Sequence, residues 1–250
     1  MESIWNHILY EELKVAPEEV PVLHSDSPLN PNADREKMAQ IMFESFNVPA
    51  MYVVKHPVLS LYSSGRTIGL IVDVGEGNSL TLPIYEGYGI MNCIQKMDTS
   101  GAHISSYLSD LLKEKGHDLS HEKEVVQEMK EKVGYVAVDY SKELCKPPET
   151  IKTVYQLPDG HKITLGTERF KCTEALFCPS HVGKEGPGLA EVIHNTILMT
   201  DVDLRKDFQN NIIPVGGSTF FPGFIERTQK ELSFLLNTSK PVSLNTAPER

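Results

Sequence analysis

Two glycine-rich turns, each directly after an apolar run with the character of a strand, constrain this chain more than any other feature. In the first, Ile71-Val72-Asp73-Val74 leads into Gly75-Glu76-Gly77, and a second apolar run begins at Ser79. In the other, Ile212-Ile213-Pro214-Val215 leads into Gly216-Gly217-Ser218. Because glycine has no Cβ and tolerates positive φ, the backbone N–H groups of such turns can approach an anion closely. Two turns of this kind suggest a nucleotide held between two lobes.

The first turn carries two carboxylates. Asp73 stands at the end of its predicted strand, where a carboxylate can hold a hydrated Mg²⁺ that also binds phosphate oxygens. Glu76 lies within the turn itself. An acidic hairpin turn with no ligand has the same composition, because Asp and Gly are common in turns. Local sequence leaves both interpretations open.

The second turn has the composition of a nucleoside contact. Its two glycines can pass under an adenine or a ribose, and Phe220 or Phe221 can supply apolar contact. A helix N-cap formed by Ser218 or Thr219 would explain the same residues without any ligand. Here too the local sequence does not decide.

A charged helical stretch is predicted across residues 122–140. One face carries Val125, Val126, Met129, Val133 and Val136, and the other is charged. On the charged face, Lys130 and Glu131 could reach a ribose or a base. Most charged helical residues are simply solvated, which is the alternative explanation for these two.

The remaining pattern alternates strands with helices and predicts an α/β architecture. Helices are predicted at residues 4–13, 34–46, 57–63, 189–200 and 222–236, with mostly helical structure over 101–156. Strands are predicted at residues 50–54, 68–74, 79–85 and 211–215, and a hairpin at 155–165. The apolar faces of the first two helices are expected to be core faces, the first consisting of Ile4, Trp5, Ile8, Leu9 and Leu13.

Composition excludes several other classes of protein. The net charge of −10 argues against general nucleic-acid binding, which favours a basic surface. No apolar run approaches the roughly 20 residues that span a bilayer. The N-terminus has no secretory-signal pattern, so a cytoplasmic protein is expected. The absence of a G-x-S-x-G motif and of a Ser-His-Asp set leaves nucleophilic catalysis without support.

Many segments along the chain resemble actin, in collinear order and over essentially the whole length. They include Pro28-Leu29-Asn30-Pro31, Arg35-Glu36-Lys37-Met38, Gln40-Ile41-Met42-Phe43-Glu44, Asn47-Val48-Pro49-Ala50-Met51-Tyr52, Pro83-Ile84-Tyr85-Glu86-Gly87-Tyr88, Leu157-Pro158-Asp159-Gly160 and Asp201-Val202-Asp203-Leu204-Arg205-Lys206-Asp207. The chain is therefore identified as a member of the actin or actin-like family. The resemblance implies the actin-like, ribonuclease H-like ATPase fold, with two α/β lobes and ATP or ADP bound with Mg²⁺ or Ca²⁺ in the cleft.

The resemblance also implies which residues contact the ligand. The second phosphate-binding loop corresponds to Asp73, Gly75, Glu76 and Gly77, and Asp73 holds the metal ion through water. The positions that contact the nucleoside in actins are Lys130, Glu131, Gly216, Gly217, Ser218, Phe220 and Phe221. The implied partners are cytoskeletal or actin-binding proteins, and the implied location is the cytoskeleton in the cytoplasm.

Two positions depart from the hydrolytic residues of actins. His56 replaces the glutamine that positions the attacking water, and Leu80 replaces the assisting histidine of the second hairpin strand. Leucine can neither orient water nor move a proton, and catalysis of phosphoryl transfer is mostly positioning and electrostatics. His56 can substitute only in part, so slow or absent hydrolysis is predicted.

The match corresponds to the middle portion of an actin. Residues 1–63 are expected to be a remnant of subdomain 1, residues 64–99 and 185–250 to form subdomain 3, and residues 100–184 to form subdomain 4. This arrangement predicts a largely complete second lobe and an incomplete first lobe, without the N-terminal phosphate hairpin and the C-terminal segment of actins. With one of two phosphate loops, nucleotide binding is expected to be weakened.

Self-assembly of the actin type is not expected. The stretch that matches the apolar plug of actins reads His181-Val182-Gly183-Lys184, where bulky apolar residues have given way to His and Lys. A buried lysine in a filament would need a partner or cost several kcal/mol.

Three hypotheses follow for function. The chain is an actin-like structural protein with a weakened and hydrolytically poor ATP cleft, an active ATPase module of the superfamily that includes sugar kinases and heat-shock chaperones, or a gene fragment that folds poorly. The actin-like segments outside the glycine turns favour the first.

Overall fold

The structure, a computed structural model, describes residues 1–237 and 242–246. It divides into two compact units, Met1–Ser63 and Ser64–Arg250. The end of the predicted third subdomain, residues 247–250, lies outside the described residues, as do residues 238–241. Both glycine turns belong to the second unit, and the α/β prediction is confirmed.

The first unit is built around a parallel strand–helix–strand unit. Strand β1 (Val22–Asp26) pairs in parallel with β2 (Met51–Lys55), and helix α2 (Asn32–Glu44) connects them. Within the same unit, helix α1 (Glu2–Asn6) precedes β1, and α3 (His56–Ser63) follows β2 directly. The core of the unit consists of Leu9, Met42, Phe46 and Val48.

The prediction of one regular helix over residues 4–13 is wrong. Helix α1 passes at His7 into a π-helical turn, His7–Glu12, whose wider spacing rotates the expected apolar face. Leu9 is consequently buried, whereas Ile4 and Leu13 are more than half exposed. Trp5 still packs against the core of this unit.

The second unit contains a mixed sheet whose central strands are buried on both faces. Strands β3 (Gly69–Val74) and β4 (Ser79–Tyr85) form the acidic hairpin, and the short strands β5 (Tyr88–Gly89) and β6 (Gln95–Met97) pair with β4. A separate hairpin comprises β7 (Thr153–Gln156) and β8 (Lys162–Leu165). Strand β9 (Ile212–Val215) pairs in parallel with β3. Buried residues are almost continuous along β3 and β4, as expected of strands covered on both faces.

Helices cover this sheet and extend from it. They are α4 (Gly101–Glu114), α5 (Lys123–Val133), α6 (Tyr140–Leu144), α7 (Pro148–Ile151), α8 (Glu168–Glu174), α9 (Leu189–Met199), α10 (Val202–Asn210) and α11 (Phe224–Leu235). The apolar faces of α4, α5, α9 and α11 contribute to one large core with the sheet.

The predicted helix over residues 122–140 is shorter in the structure. Helix α5 ends at Val133, because Gly134 adopts an extended conformation, with φ −69° and ψ 147°. A Cβ at Gly134 would lie 2.4 Å from the carbonyl oxygen of Lys130 and 2.9 Å from Cε1 of Phe221, so only glycine fits at this end of the helix. Val136 is buried from the extended segment rather than from the helix.

A buried ion pair fixes this extended segment to two helices. Arg227 on α11 donates to both carboxylate oxygens of Glu174 on α8, at 2.7 and 3.2 Å. The same guanidinium donates to the carbonyl oxygen of Ala137 at 2.7 Å and lies 4.8 Å from the ring centroid of Phe177. These contacts hold the segment that follows α5 against α8 and α11.

Candidate functional site

The two glycine turns meet at the carboxyl ends of adjacent parallel strands. Asp73 of β3 is in register with Val215 of β9, so both strands end at the same edge of the sheet. The first turn leads back into β4, and the other leads into a 3-10 turn, Gly217–Phe220, before α11. The crevice beyond the carboxyl ends of parallel strands is where open α/β sheets bind ligands.

The second turn touches the first so closely that only glycine fits. Gly216 has φ +91°, and a Cβ there would lie 2.6 Å from the carbonyl oxygen of Val74 and 2.7 Å from Oδ1 of Asp73. Among the described residues, neither Ser218 nor Thr219 is the N-cap of the helix that follows: α11 begins at Phe224 with Gly223 at its N-cap, and Thr219 donates its hydroxyl to the Gly216 carbonyl at 2.7 Å.

Helix α4 supports the first turn through backbone hydrogen bonds. Within the turn, the N–H of Gly75 donates to the carbonyl of Asn78 at 2.9 Å. The N–H groups of Gly101 and Ala102, at the start of α4, donate to the carbonyls of Gly75 and Glu76 at 2.9 and 2.8 Å. The first donors of α4 therefore bind the turn itself.

A lysine from α5 completes the contacts around the turn. Nζ of Lys130 lies 2.7 Å from Oε2 of Glu76 and 3.2 Å from the carbonyl oxygen of Gly101. The lysine side chain is 3% exposed and that of Glu76 is 46% exposed. Because a buried ammonium is costly without a partner, this pairing explains how Lys130 occupies a buried position.

Gly101 is a position that sequence reasoning did not single out. A Cβ at this residue would overlap the carboxylate of Glu76 and lie 2.9 Å from Oγ of Ser218. Both glycine turns and the start of α4 therefore converge at one point. The only sequence signal is a glycine at the first position of a helix, which alone indicates nothing about a ligand.

A cavity of about 390 Å³ lies beside these contacts. This volume is within the range of about 300–1,000 Å³ typical of small-molecule sites. It is lined by Glu76, Gln127, Lys130, Glu131, Gly217, Ser218, Phe220 and Phe221. Seven of these were predicted as nucleotide contacts, and Gln127 was not. Gly75, Gly77 and Gly216 belong to the two adjoining turns and Asp73 to the end of β3, and none of the four lines the cavity.

The cavity combines an aromatic part with a polar part. Phe221 is buried against Gly134, whereas Phe220 is 58% exposed. On α5, Gln127 donates from Nε2 to Oε1 of Glu131 at 3.1 Å, one helical turn apart. Aromatic rings suit a base, and a carboxylate is a strong acceptor for hydroxyl groups. The sequence signal for Gln127 is its position one helical turn before Glu131, which places both side chains on the same face of α5.

The side chains at the two turns could hold a divalent cation that keeps most of its water ligands, but not one coordinated entirely by protein side chains. No cluster of three His, Cys, Asp or Glu side chains occurs among residues 1–237 and 242–246. Asp73 brings one carboxylate to the point where the turns meet. Mg²⁺ commonly binds through one or two carboxylates while keeping waters and phosphate oxygens, so Asp73 fits that mode.

The two residues predicted to replace hydrolytic residues of actins have different surroundings. Leu80 lies on β4 directly opposite Asp73 in the antiparallel register and is 3% exposed. His56 belongs to the first unit, where it begins α3 and its Nδ1 lies 3.1 Å from the carbonyl oxygen of Asp26. The structure brings Leu80, but not His56, into the same unit as the predicted nucleotide contacts.

The match to a known family covers the entire chain. The family model described as Actin matches residues 1–250. The chain therefore belongs to the actin family, and with it to the superfamily that has the actin-like ATPase fold. The predicted resemblance is confirmed. Members of the family generally bind ATP or ADP with a divalent cation. Within residues 1–237 and 242–246, no helix is both long and apolar enough to cross a bilayer.

Proposed function

We propose that this chain is an actin-family cytoskeletal protein whose second unit binds an adenine nucleotide weakly and hydrolyses it slowly or not at all. The observation that carries the proposal is the cavity formed where both glycine turns meet α5. Asp73, Gly75, Glu76 and Gly77 would lie along the phosphates, and Gly216 at the junction of the turns. Lys130, Glu131, Gly217, Ser218, Phe220 and Phe221 would surround the nucleoside.

Weak affinity for the phosphates is expected because the positive charge at the cavity is already paired with a carboxylate of the protein. Lys130 is the only cationic side chain among the described residues that line it, and Glu76 already pairs with this lysine at 2.7 Å. Phosphate groups bind most strongly to unpaired cations and backbone N–H groups acting together. The ligand gains little from a lysine that must keep its carboxylate partner.

Titration of the purified chain with Mg·ATP in a calorimeter tests binding. We expect a dissociation constant on the order of 10 µM or larger, equivalent to a binding free energy of about −7 kcal/mol or a less negative value. A nanomolar, strictly Mg²⁺-dependent affinity would instead favour an active ATPase module of the same superfamily. Complete absence of binding would contradict the proposed site.

Poor hydrolysis follows from Leu80. This side chain is buried and apolar beside the strand that carries Asp73, so it offers no group that positions water or moves a proton. His56, which by the resemblance replaces the water-positioning glutamine of actins, is expected to substitute for it only in part. Single-turnover release of phosphate from bound ATP measures the reaction, and we expect less than about a tenth of the rate seen with an actin control, since one positioned acid–base group contributes about 10²–10⁴-fold.

The cytoskeletal part of the proposal includes actin-binding partners and a cytoplasmic location, as implied by the family. Actin-type self-polymerisation is not part of it. The segment at the plug position forms a short 3-10 turn, Pro179–Val182, and His181 and Lys184 are exposed on its surface. A sedimentation assay in polymerising salt, with actin alone as control, tests this point. Cooperative filaments with a critical concentration would contradict it.

A further inference from the structure

We propose that a groove on the second unit docks an acidic, extended peptide segment of a partner protein. The groove has a volume of about 900 Å³, and its lining includes residues 132–138, Glu143, Lys146, Arg169 and Pro222. We call it the basic groove. Among the described residues, none lines both the basic groove and the nucleotide cavity, so peptide docking does not depend on nucleotide binding.

The floor of the basic groove is a fixed stretch of extended backbone. The N–H of Tyr135 donates to the carbonyl of Arg169 at 3.2 Å, and the N–H of Val136 donates to that of Pro222 at 2.8 Å. The side chains of Val136 and Ala137 are buried. A surface that is already ordered loses little conformational freedom when a ligand binds, which favours affinity.

Apolar side chains stand beside this floor. Ile151 of α7 is buried, whereas Val138, Pro147 and Pro222 line the groove from exposed positions. Such side chains offer contact area to an extended segment, which presents alternate side chains to opposite faces. Apolar contact does not identify the partner, but the charge of the lining does.

The lining is basic although the chain as a whole is acidic. Lys132, Lys146 and Arg169 line the groove with one carboxylate, that of Glu143, while the net charge of the chain is −10. A basic surface of this size attracts a short acidic segment through complementary charge. A long polyanion such as a nucleic acid would also meet the acidic remainder of the protein and be repelled.

Arg169 is the anchor for a carboxylate. Its Nε donates to the carbonyl of Val133 at 2.8 Å and its Nη1 to that of Ile151 at 2.9 Å. Its Cζ lies 4.8 Å from the ring centroid of Tyr135. These contacts fix the guanidinium without neutralising it, and within the part of the chain that the structure describes its Nη2 makes no hydrogen bond. A carboxylate can accept from Nη2, and such a charge-assisted bond is about twice as strong as a neutral one.

Lys146 supplies a second positive charge. Its Nζ lies 2.9 Å from Oε2 of Glu143, whose Oε1 accepts from the hydroxyl of Tyr135 at 3.1 Å. The side chain of Lys146 is half exposed. Because an ammonium group has three donors, Lys146 can keep Glu143 and still bind a carboxylate of the partner.

Selection from a random library of short linear peptides displayed on phage, with the full chain as target, tests the proposal. Fluorescence anisotropy then measures the affinity of the recovered peptides. We expect them to be enriched in Asp and Glu next to apolar residues, with dissociation constants of about 1–100 µM that rise with ionic strength. Recovery of only basic or uncharged peptides would overturn the proposal.

Lys146→Glu tests the groove, and Lys142→Glu is the matched control. Lys142 belongs to α6, its side chain is 85% exposed, and it does not line the groove. Both variants change the net charge equally. We expect Lys146→Glu to weaken binding of the acidic peptides about tenfold, because repulsion replaces attraction, and Lys142→Glu to change it less than about twofold. Equal weakening by both would mean that the peptides respond to net charge alone, and would overturn the proposal.

Arg169→Lys tests the anchor while keeping its charge. An ammonium group cannot hold both carbonyls and still present the planar fork, so we expect about tenfold weaker binding. Urea denaturation shows whether the variant folds, and if it does not, Lys146→Glu and its control decide. Peptides that bind both groove variants as tightly as the native chain would overturn the proposal.

Competition separates peptide docking from nucleotide binding and from a general anion site. Saturating Mg·ATP should leave peptide binding unchanged, because the basic groove and the nucleotide cavity have different lining residues. Inorganic phosphate or a single-stranded oligonucleotide that displaces the peptides at lower concentrations than the peptides themselves would assign the groove to another class of ligand and overturn the proposal. Loss of nucleotide binding with retained peptide binding would contradict only the proposed function.

Discussion

Nζ of Lys130 lies 2.7 Å from Oε2 of Glu76, but the two side chains differ in exposure, at 3% and 46%. The pair is therefore asymmetric. Water can solvate Glu76 if the lysine is removed, whereas within the described residues the ammonium group donates only to Glu76 and to the Gly101 carbonyl. The acidic turn thus depends on a lysine more than fifty residues away, and the lysine depends on the turn.

This asymmetry predicts that Glu76→Gln destabilises the chain more than Lys130→Met. Removing one partner of a fully buried pair costs about 3–5 kcal/mol, and the half-exposed position of Glu76 reduces this to about 1–3 kcal/mol. Lys130→Met removes the buried charge itself and should cost about 1 kcal/mol, mainly through the lost hydrogen bonds. Urea denaturation measures both. Lys132→Met, which removes an exposed pair with Glu128 on the same helix, should have no measurable effect. Equal losses in the first two variants would contradict the argument.

The junction of the two turns predicts a large difference between neighbouring glycines. Gly216→Ala should destabilise by more than about 2 kcal/mol, because its φ of +91° is strained for alanine and its Cβ would collide with Val74 and Asp73. Gly217→Ala should change the free energy of unfolding by less than about 1 kcal/mol, because no atom lies within 4 Å of the added Cβ and φ is not positive. Denaturant titration of both variants measures the difference. A neutral Gly216→Ala would show that the turns are not in contact.

The buried pair in the second unit predicts a pH-dependent cost for Arg227→Met. Burial raises the pKa of the Glu174 carboxyl above 4.5, and Arg227 opposes this shift. Without the arginine, the folded-state pKa rises further, so the carboxyl favours folding below the unfolded value of 4.5 and loses that contribution as pH rises through the folded pKa. We therefore expect a loss of about 3–5 kcal/mol near neutral pH and a smaller loss near pH 5.

The control for that measurement is Lys230→Met, on the same helix as Arg227. Lys230 is exposed and lies 3.2 Å from Asp139, so its removal should leave both the stability and its pH dependence unchanged. If Arg227→Met were equally destabilising at the two pH values, Glu174 would not be the residue left unpaired.

The first unit should be sensitive to mild acid through His24. Burial lowers the pKa of His24 below 6.5, and its Nε2 has no hydrogen-bond partner within the described residues. The unfolded chain therefore binds a proton more readily, so this unit should be stable above pH 6.5 and lose stability as pH falls through the lower folded value. Trp5 is the only tryptophan, and its ring lies 5.3 Å from that of His24, so intrinsic fluorescence reports this unit specifically.

His24→Leu should remove that acid sensitivity without abolishing folding, because the site is partly apolar. His7→Gln is the control, since His7 is exposed and pairs with Glu12. A tryptophan signal that responds to acid equally in the native chain and in His24→Leu would assign the sensitivity to another group.

Local pattern was sufficient for most elements near the site. The hairpin of β3 and β4, the strand β9 and the turns that follow them are near their predicted positions, because short, nearly continuous apolar runs that end at glycine encode them within a few residues. The predicted helix over residues 122–140 failed beyond Val133, where Gly134 meets Phe221 from a distant part of the chain. The helix over residues 4–13 failed where a π-helical turn displaced its apolar face. In both cases the spacing of apolar residues correctly predicted a helix, but it did not predict where the regular α-helix ends.

The sequence by itself determined the α/β class, the membership of the actin family and the two glycine turns, since these depend on neighbouring residues and on collinear resemblance. Only the tertiary structure decided that the turns touch at Gly216, that Gly101 leaves room for Glu76, and that Gln127 joins the cavity. It also decided that Lys130 is buried and paired with Glu76, which no local pattern distinguishes from a solvated helix face. The physical reason is that these contacts depend on the register of β3 against β9 and on how α4 and α5 pack beside them, and such long-range packing is set by the whole core.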